Sequence, residues 1–125
     1  MNYTLAHSLY QGCLRIRISG AWPAGRAEDI IAEMFSIWEK HQKPLIIDIR
    51  DMEDTPSVFI DYEEAKQFAS IGFQRAGRIA VLDNPERRKA NDFFETTAYN
   101  RGLRFIFFYS DEDEAIAWLL SEEGG

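Results

Sequence analysis

Any chemistry in this chain would have to come mainly from carboxylates. Asp48, Asp51, Glu53, Asp54, Asp83, Asp111, Glu112 and Asp113 fall where apolar runs give way to helix-starting sequence, in "DIRDMEDTPS", "LDNPERR" and "FYSDEDE". Carboxylates gathered from three such corners could hold a divalent cation such as magnesium, because hard cations take oxygen ligands. Acids are also enriched at helix starts, where the positive end of the dipole stabilises them. That account explains the same residues without a metal. Nucleophilic chemistry has less to offer. His7 and His41 stand beside no serine or cysteine in a recognisable motif, and a triad is defined by a geometry that nothing here points to. Cys13 shares a strand face with Arg15 and Arg17; nearby positive charge activates a thiol, but a half-buried structural cysteine is the simpler use.

Two enzyme-like comparisons can be tested on the letters. "IIDIRDMED" looks like the phospho-acceptor strand of a response-regulator receiver domain. A receiver also needs an acidic pair after its first strand and a lysine after its last. Here "LRIRIS" is followed by Gly20 and Ala21, and "FIFFYS" supplies no lysine. A phosphatase-type motif fails too, because Asp48 is followed by Ile49 and Arg50 rather than by a second aspartate one residue on. "GFQRAG" lacks the Lys-Ser/Thr of a phosphate-binding loop.

The elements that would position these residues are legible. In "CLRIRIS", Leu14, Ile16 and Ile18 alternate with Cys13, Arg15 and Arg17, a strand with one apolar face. "NYTLAHSLY" precedes it as a weaker strand, with Gln11-Gly12 as the turn. Over residues 24–41, Ala27, Ile30, Ile31, Met34, Ile37, Trp38 and His41 recur at helical spacing. Pro44 then hands over to "LIIDI", apolar enough to be covered on both faces. A helix is expected over 56–73, with Thr55 at N-cap and Pro56 at N1, and with Phe59, Tyr62, Ala65, Phe68, Ala69 and Gly72 toward the sheet. A strand follows at 78–83, then a helix opened by Asn84-Pro85 and closed by Gly102. The last strand spans 103–109, and Ser110 caps the last helix.

The order ββαβαβαβα predicts an α/β fold, one mixed sheet with an N-terminal antiparallel hairpin and parallel strands thereafter. Most aromatics, including Phe93, Phe94, Phe105, Phe107, Phe108, Trp38 and Trp118, have the spacing of core residues. Trp22 stands in a loop and is the aromatic most suited to touch a ligand or partner.

A length of 125 residues suits a single domain spanning 1–125. Fourteen basic against 21 acidic residues give a charge of −7, which disfavours nucleic acid and anionic lipid. One cysteine permits no intrachain disulfide. The start of the chain does not read as a secretory signal, and no window approaches the ~20 apolar residues of a membrane span. A soluble, cytoplasmic protein is the expectation, and the exposed edges of the hairpin make a homodimer a candidate state.

"PLIIDIRD", "RIAVLDNPE" and "NRGLRFIFFYSDEDEAIAWL", with the hairpin before them, resemble the SpoIIAA-like group, small bacterial proteins related to STAS domains. The aromatic strand, acidic cap and "EAIAWL" are the most specific part. The resemblance covers nearly the whole chain. It implies a sheet with interleaved helices, no cofactor, no catalysis and regulation through a protein partner. It also implies that the start of the helix after "LIIDIRDMED" is where related proteins carry a phosphorylated serine. Here Asp54-Thr55-Pro56-Ser57 stands in place of the usual Asp-Ser-Ser-Gly, so Ser57 and Thr55 are the candidate phosphorylation sites. Asp51, Asp54, Ser57 and Trp22 are the candidate partner or ligand surface. The alternative is a carrier of a small apolar or lipid-like ligand, since STAS domains are related to a lipid-binding fold; a carboxylate-dependent hydrolase is a weaker third.

Overall fold

The computed structural model describes residues 3–22, 27–53, 62–109 and 111–121. Gln11 and Gly12 take φ of +50° and +84°, the left-handed pair that a tight hairpin turn requires and that glycine tolerates best. They fold strand β1 (Tyr3–Tyr10) antiparallel onto β2 (Cys13–Gly20). Helix α1 (Ala27–His41) leads to β3 (Leu45–Met52), which lies parallel to β2. Then come α2 (Tyr62–Ile71), β4 (Arg78–Leu82), α3 (Arg88–Tyr99), β5 (Arg104–Phe108) and α4 (Glu112–Leu120). The sheet order is β1-β2-β3-β4-β5, antiparallel at the hairpin and parallel across the rest, as the sequence predicts.

The two-residue period of the strands divides the core in two. Leu14, Ile16, Ile18, Leu45, Ile47, Ile49, Ile79, Val81, Phe105 and Phe107 face α1, α2 and α3. Here Phe68 touches Phe73, Phe94 and Phe105 with ring centroids 5.0–6.3 Å apart, so interlocked rings fill the centre of that layer. On the other face Cys13, Ile46, Ala80, Leu82 and Phe108 meet Ala115, Ile116 and Leu119 of α4. Both faces of β3 are therefore covered. α4 packs mainly on β3, β4 and β5, and beyond Cys13 the α4-side face of β2 carries Arg15 and Arg17.

Several boundaries differ from the expected ones for local reasons. The third strand runs to Met52 rather than ending at residue 49, because Ser19 and Gly20 keep pairing with Asp51 and Met52. The second helix stops at Ile71, not 73: Gly72 adopts φ +117° and Phe73 turns into the core within a short 3-10 segment. A 3-10 turn over Pro85–Arg87 precedes α3, and the Asn84 side chain does not cap it. Asp111, whose side chain accepts the Glu114 N–H at 3.0 Å, is the cap of α4, the role expected of Ser110. Phe93 is exposed on α3 rather than buried. The capping role of Thr55, the N1 role of Pro56, and Phe59 and Ser110 themselves lie outside the described residues.

Candidate functional site

β3 is longer than β4. Their register pairs residues 45–48 with 79–82 and then ends, so the last carbonyls of β3 have no strand beside them on that side. Such groups need other partners when buried. The turn from β4 into α3 supplies them from side chains. Asn84 Nδ2 donates to the Arg50 carbonyl at 3.0 Å. The Arg87 guanidinium donates to the carbonyls of Ile49 at 3.3 Å, Met52 at 3.1 Å and Glu53 at 3.3 Å. Arg87 is 5% exposed and also donates to Asp83 Oδ1. Asp83, 1% exposed, accepts further bonds from the Asn84 N–H at 2.7 Å and from Asn91 Nδ2 at 2.8 Å. A planar fork of donors suits this task in a way a lysine does not. Asp83 neutralises the fork and Asn91 fixes Asp83, so the brace sets the direction in which the chain leaves β3.

The same strand carries a second polar cluster on the α4 face. Between Arg17↔Asp48 and Ser19↔Asp51 the register advances by one residue on β3. An extra residue of this kind leaves a backbone group off the ladder. The Arg50 N–H bonds instead to Asp48 Oδ1 at 3.1 Å, while the Arg50 guanidinium grips the same carboxylate at 3.0 and 2.8 Å. Arg17 approaches Asp48 at 3.3 Å, and Arg15 Nη1 donates to both carboxylate oxygens of Glu112 on α4 at 2.7 and 2.8 Å. Burial alone would raise the Asp48 pKa. The hydrogen bonds and charge of Arg50, helped by Arg17, overcome that and hold it below the ordinary carboxylate value. Burial, with Glu112 nearby, pushes the Cys13 thiol up, so the arginines on its strand do not activate it.

Among the described residues, the acids picked out in the sequence do not gather into one carboxylate cluster; only Asp48 and Glu112 approach each other, with Arg50 between them at 2.8 and 3.8 Å. Asp48 clips an irregularity in β3, Asp83 holds Arg87, Asp111 caps a helix and Glu112 binds Arg15. No three His, Cys, Asp or Glu side chains among the described residues are arranged to hold a metal ion. Asp51 is exposed at the end of β3, next to the braced carbonyls. Trp22 is half-buried against the helix-side core. Asp54, Thr55 and Ser57 lie outside the described residues, beginning one residue beyond the Glu53 carbonyl that Arg87 holds. The rings of His7 and His41 stand 5.6 Å apart, a proximity the sequence does not announce. An open cleft of about 540 Å³ beside α3 and β5 has a mixed wall, with Arg88, Asp92, Glu95 and Glu114 beside Ile106, Phe107, Phe108 and Tyr109.

Sequence reasoning missed Arg87 and Asn91. The spacing Asp83, Arg87, Asn91 is a signal, since residues four apart on a helix lie on one face. Its meaning depends on where β4 ends.

The fold as a whole is similar to the crystal structure of an anti-sigma factor antagonist from Mycobacterium paratuberculosis. The TM-score is 0.66 over 96% of each chain, at 16% sequence identity. The chain has the fold of an anti-sigma factor antagonist. This STAS fold is the one that the residues of "PLIIDIRD" and "EAIAWL" suggest. Seven chains of solved structures match in all. No family model matches the sequence, and no curated protein matches it. None of the helices among the described residues is long and apolar enough to cross a membrane.

Proposed function

We propose that this chain is a non-enzymatic regulatory domain of the STAS type, which binds a protein partner through the corner after β3, residues 50–60, and the helix behind it. The observation that carries the reading is the likeness of fold, over nearly the whole of both chains, to a protein whose role is to antagonise an anti-sigma factor. The braced end of β3 supports it. Arg87, Asn84, Asp83 and Asn91 spend four buried or part-buried polar side chains on orienting one corner. A surface that must be recognised has to be presented in one direction, and such pre-organisation lowers the entropy lost on binding. Asp51 is exposed at the end of β3 and Asp54 follows three residues on in the sequence; phosphorylation of Ser57 or Thr55 would add further negative charge to this segment, a change suited to switching a protein contact.

The test is binding to anti-sigma factors encoded by the same genome, measured by titration calorimetry with the purified chain. A complex that is weakened at least tenfold by Asp51→Lys or Asp54→Lys is the expected result. Absence of binding to every such factor, with a chain shown to be folded by circular dichroism, overturns the reading. Incubation with the same factors and ATP, followed by phosphopeptide mapping, decides the switch: no phosphate on Ser57 or Thr55 removes it.

A further inference from the structure

The two edges of the sheet are treated differently. β5 is closed by a side chain: Glu95 of α3 accepts the Phe107 N–H at 2.8 Å, placing a carboxylate where another strand would have to pair. β1 is the opposite edge and pairs only with β2 among the described residues. Exposed edges are ordinarily blunted with lysine, other charges or proline, since an open row of N–H and C=O groups recruits further strands. The eight residues of β1, "YTLAHSLY", contain no Asp, Glu, Lys, Arg or Pro, in a chain whose charge is −7. Six of the eight are exposed, including Leu9 at 56%.

The order of these residues specifies the occupant. About His7 the strand is nearly palindromic: Ala6 and Ser8 flank it as small residues, and Leu5 and Leu9 lie beyond them on one face. Tyr3 and Leu5 pack against the helix-side core and His7 meets His41 of α1, so the odd positions of β1 face α1. Antiparallel pairing of two copies centred on His7 sets Leu9 of each against Leu5 of the other, on that same face. It sets Ala6 against Ser8 on the opposite face. Directly opposed apolar residues stabilise such pairs, and like charges opposed would break them; no charge is opposed here. A two-fold axis also makes the contact self-complementary and closed.

We propose that β1 is a self-association edge, through which two copies of this chain join antiparallel about His7 into one continuous ten-stranded sheet. Two chains of charge −7 repel at a distance, and their contact forms along the one edge that bears no charge. This surface is separate from the corner after β3, so the two can be lost independently.

The experiment is analytical ultracentrifugation of the intact chain over a hundredfold concentration range, with circular dichroism as the control for folding. A reversible monomer–dimer equilibrium is expected. Leu9→Lys, at an exposed position, should weaken it at least tenfold while leaving the spectrum unchanged. Mild oxidation should link His7→Cys into a covalent dimer, because directly opposed residues have the spacing a disulfide needs. Thr4→Cys should stay unlinked, its counterpart lying several residues along the strand; the native Cys13 is buried and does not contribute. A chain that is monomeric throughout overturns the proposal. So does a dimer that ignores Leu9→Lys, or one that links at Thr4 and not at His7.

Discussion

Removing the Arg87 side chain should cost this domain more than any surface change. In Arg87→Ala the carbonyls of Ile49, Met52 and Glu53 lose a donor together, and Asp83, 1% exposed, loses the guanidinium while keeping the Asn84 N–H and Asn91. Breaking one partner out of a buried ion pair costs about 3–5 kcal/mol, chiefly because the other charge stays buried. A single domain has only about 5–15 kcal/mol of stability in total. For this size each kcal/mol lowers Tm by roughly 3–5 °C, so a fall of about 10–25 °C is expected. Arg87→Lys retains the charge but not the fork, and should lie in between. The assay is urea unfolding followed by circular dichroism, with a double-mutant cycle on Asp83→Ala and Arg87→Ala. A common m-value would show that the loss is one of stability. The coupling between the two sites should exceed about 1 kcal/mol, since they share one network. A loss below about 1 kcal/mol for Arg87→Ala, or additive single losses, would refute the idea that this pair braces the end of β3.

Three further outcomes can be checked on the same material. The Asp48 carboxyl is held below its ordinary pKa, so the stability it contributes is complete above about pH 4 and is lost as the pH falls through the lowered folded-state value. Asp48→Asn should therefore be less stable than the parent by about 1–3 kcal/mol at pH 7, and the gap should narrow as the pH is lowered below the ordinary carboxylate range; a gap independent of pH would contradict the Arg50–Asp48 account. Gly72 sits at φ +117°, with Phe35 only 3.4 Å from where a Cβ would stand, so Gly72→Ala should destabilise by about 1–2 kcal/mol, read as a shift of the urea midpoint. Cys13 is buried and its thiol pKa raised, so a thiol reagent should label it at the rate of unfolding and not before; rapid labelling of the folded chain would count against the packing under α4.

How far the letters carried can be judged residue by residue. The alternation Leu14-Ile16-Ile18, the apolar run of "LIIDI" and the helical stripe from Ala27 to Trp38 specified their elements, because each period follows from backbone geometry that is local to the element. Gly72 was read as part of a helical face, yet its left-handed backbone ends that helix, a choice made by the fit of Phe73 among Phe68 and Phe35. Asn84 has the letter of a cap and serves as a surrogate strand partner instead.

The sequence by itself determined the order of elements, the mixed sheet and the resemblance to STAS proteins, all of which rest on short-range periodicity and punctuation. Only the tertiary structure decided what the carboxylates do. Asp48 and Asp83 look alike as aspartates at or near the ends of apolar strands, but one answers an irregularity between β2 and β3 and the other neutralises an arginine that stands in for the missing end of β4. Both partners are set by where neighbouring strands stop, and strand register is a long-range property: it depends on pairings between residues tens of positions apart, which no local pattern encodes.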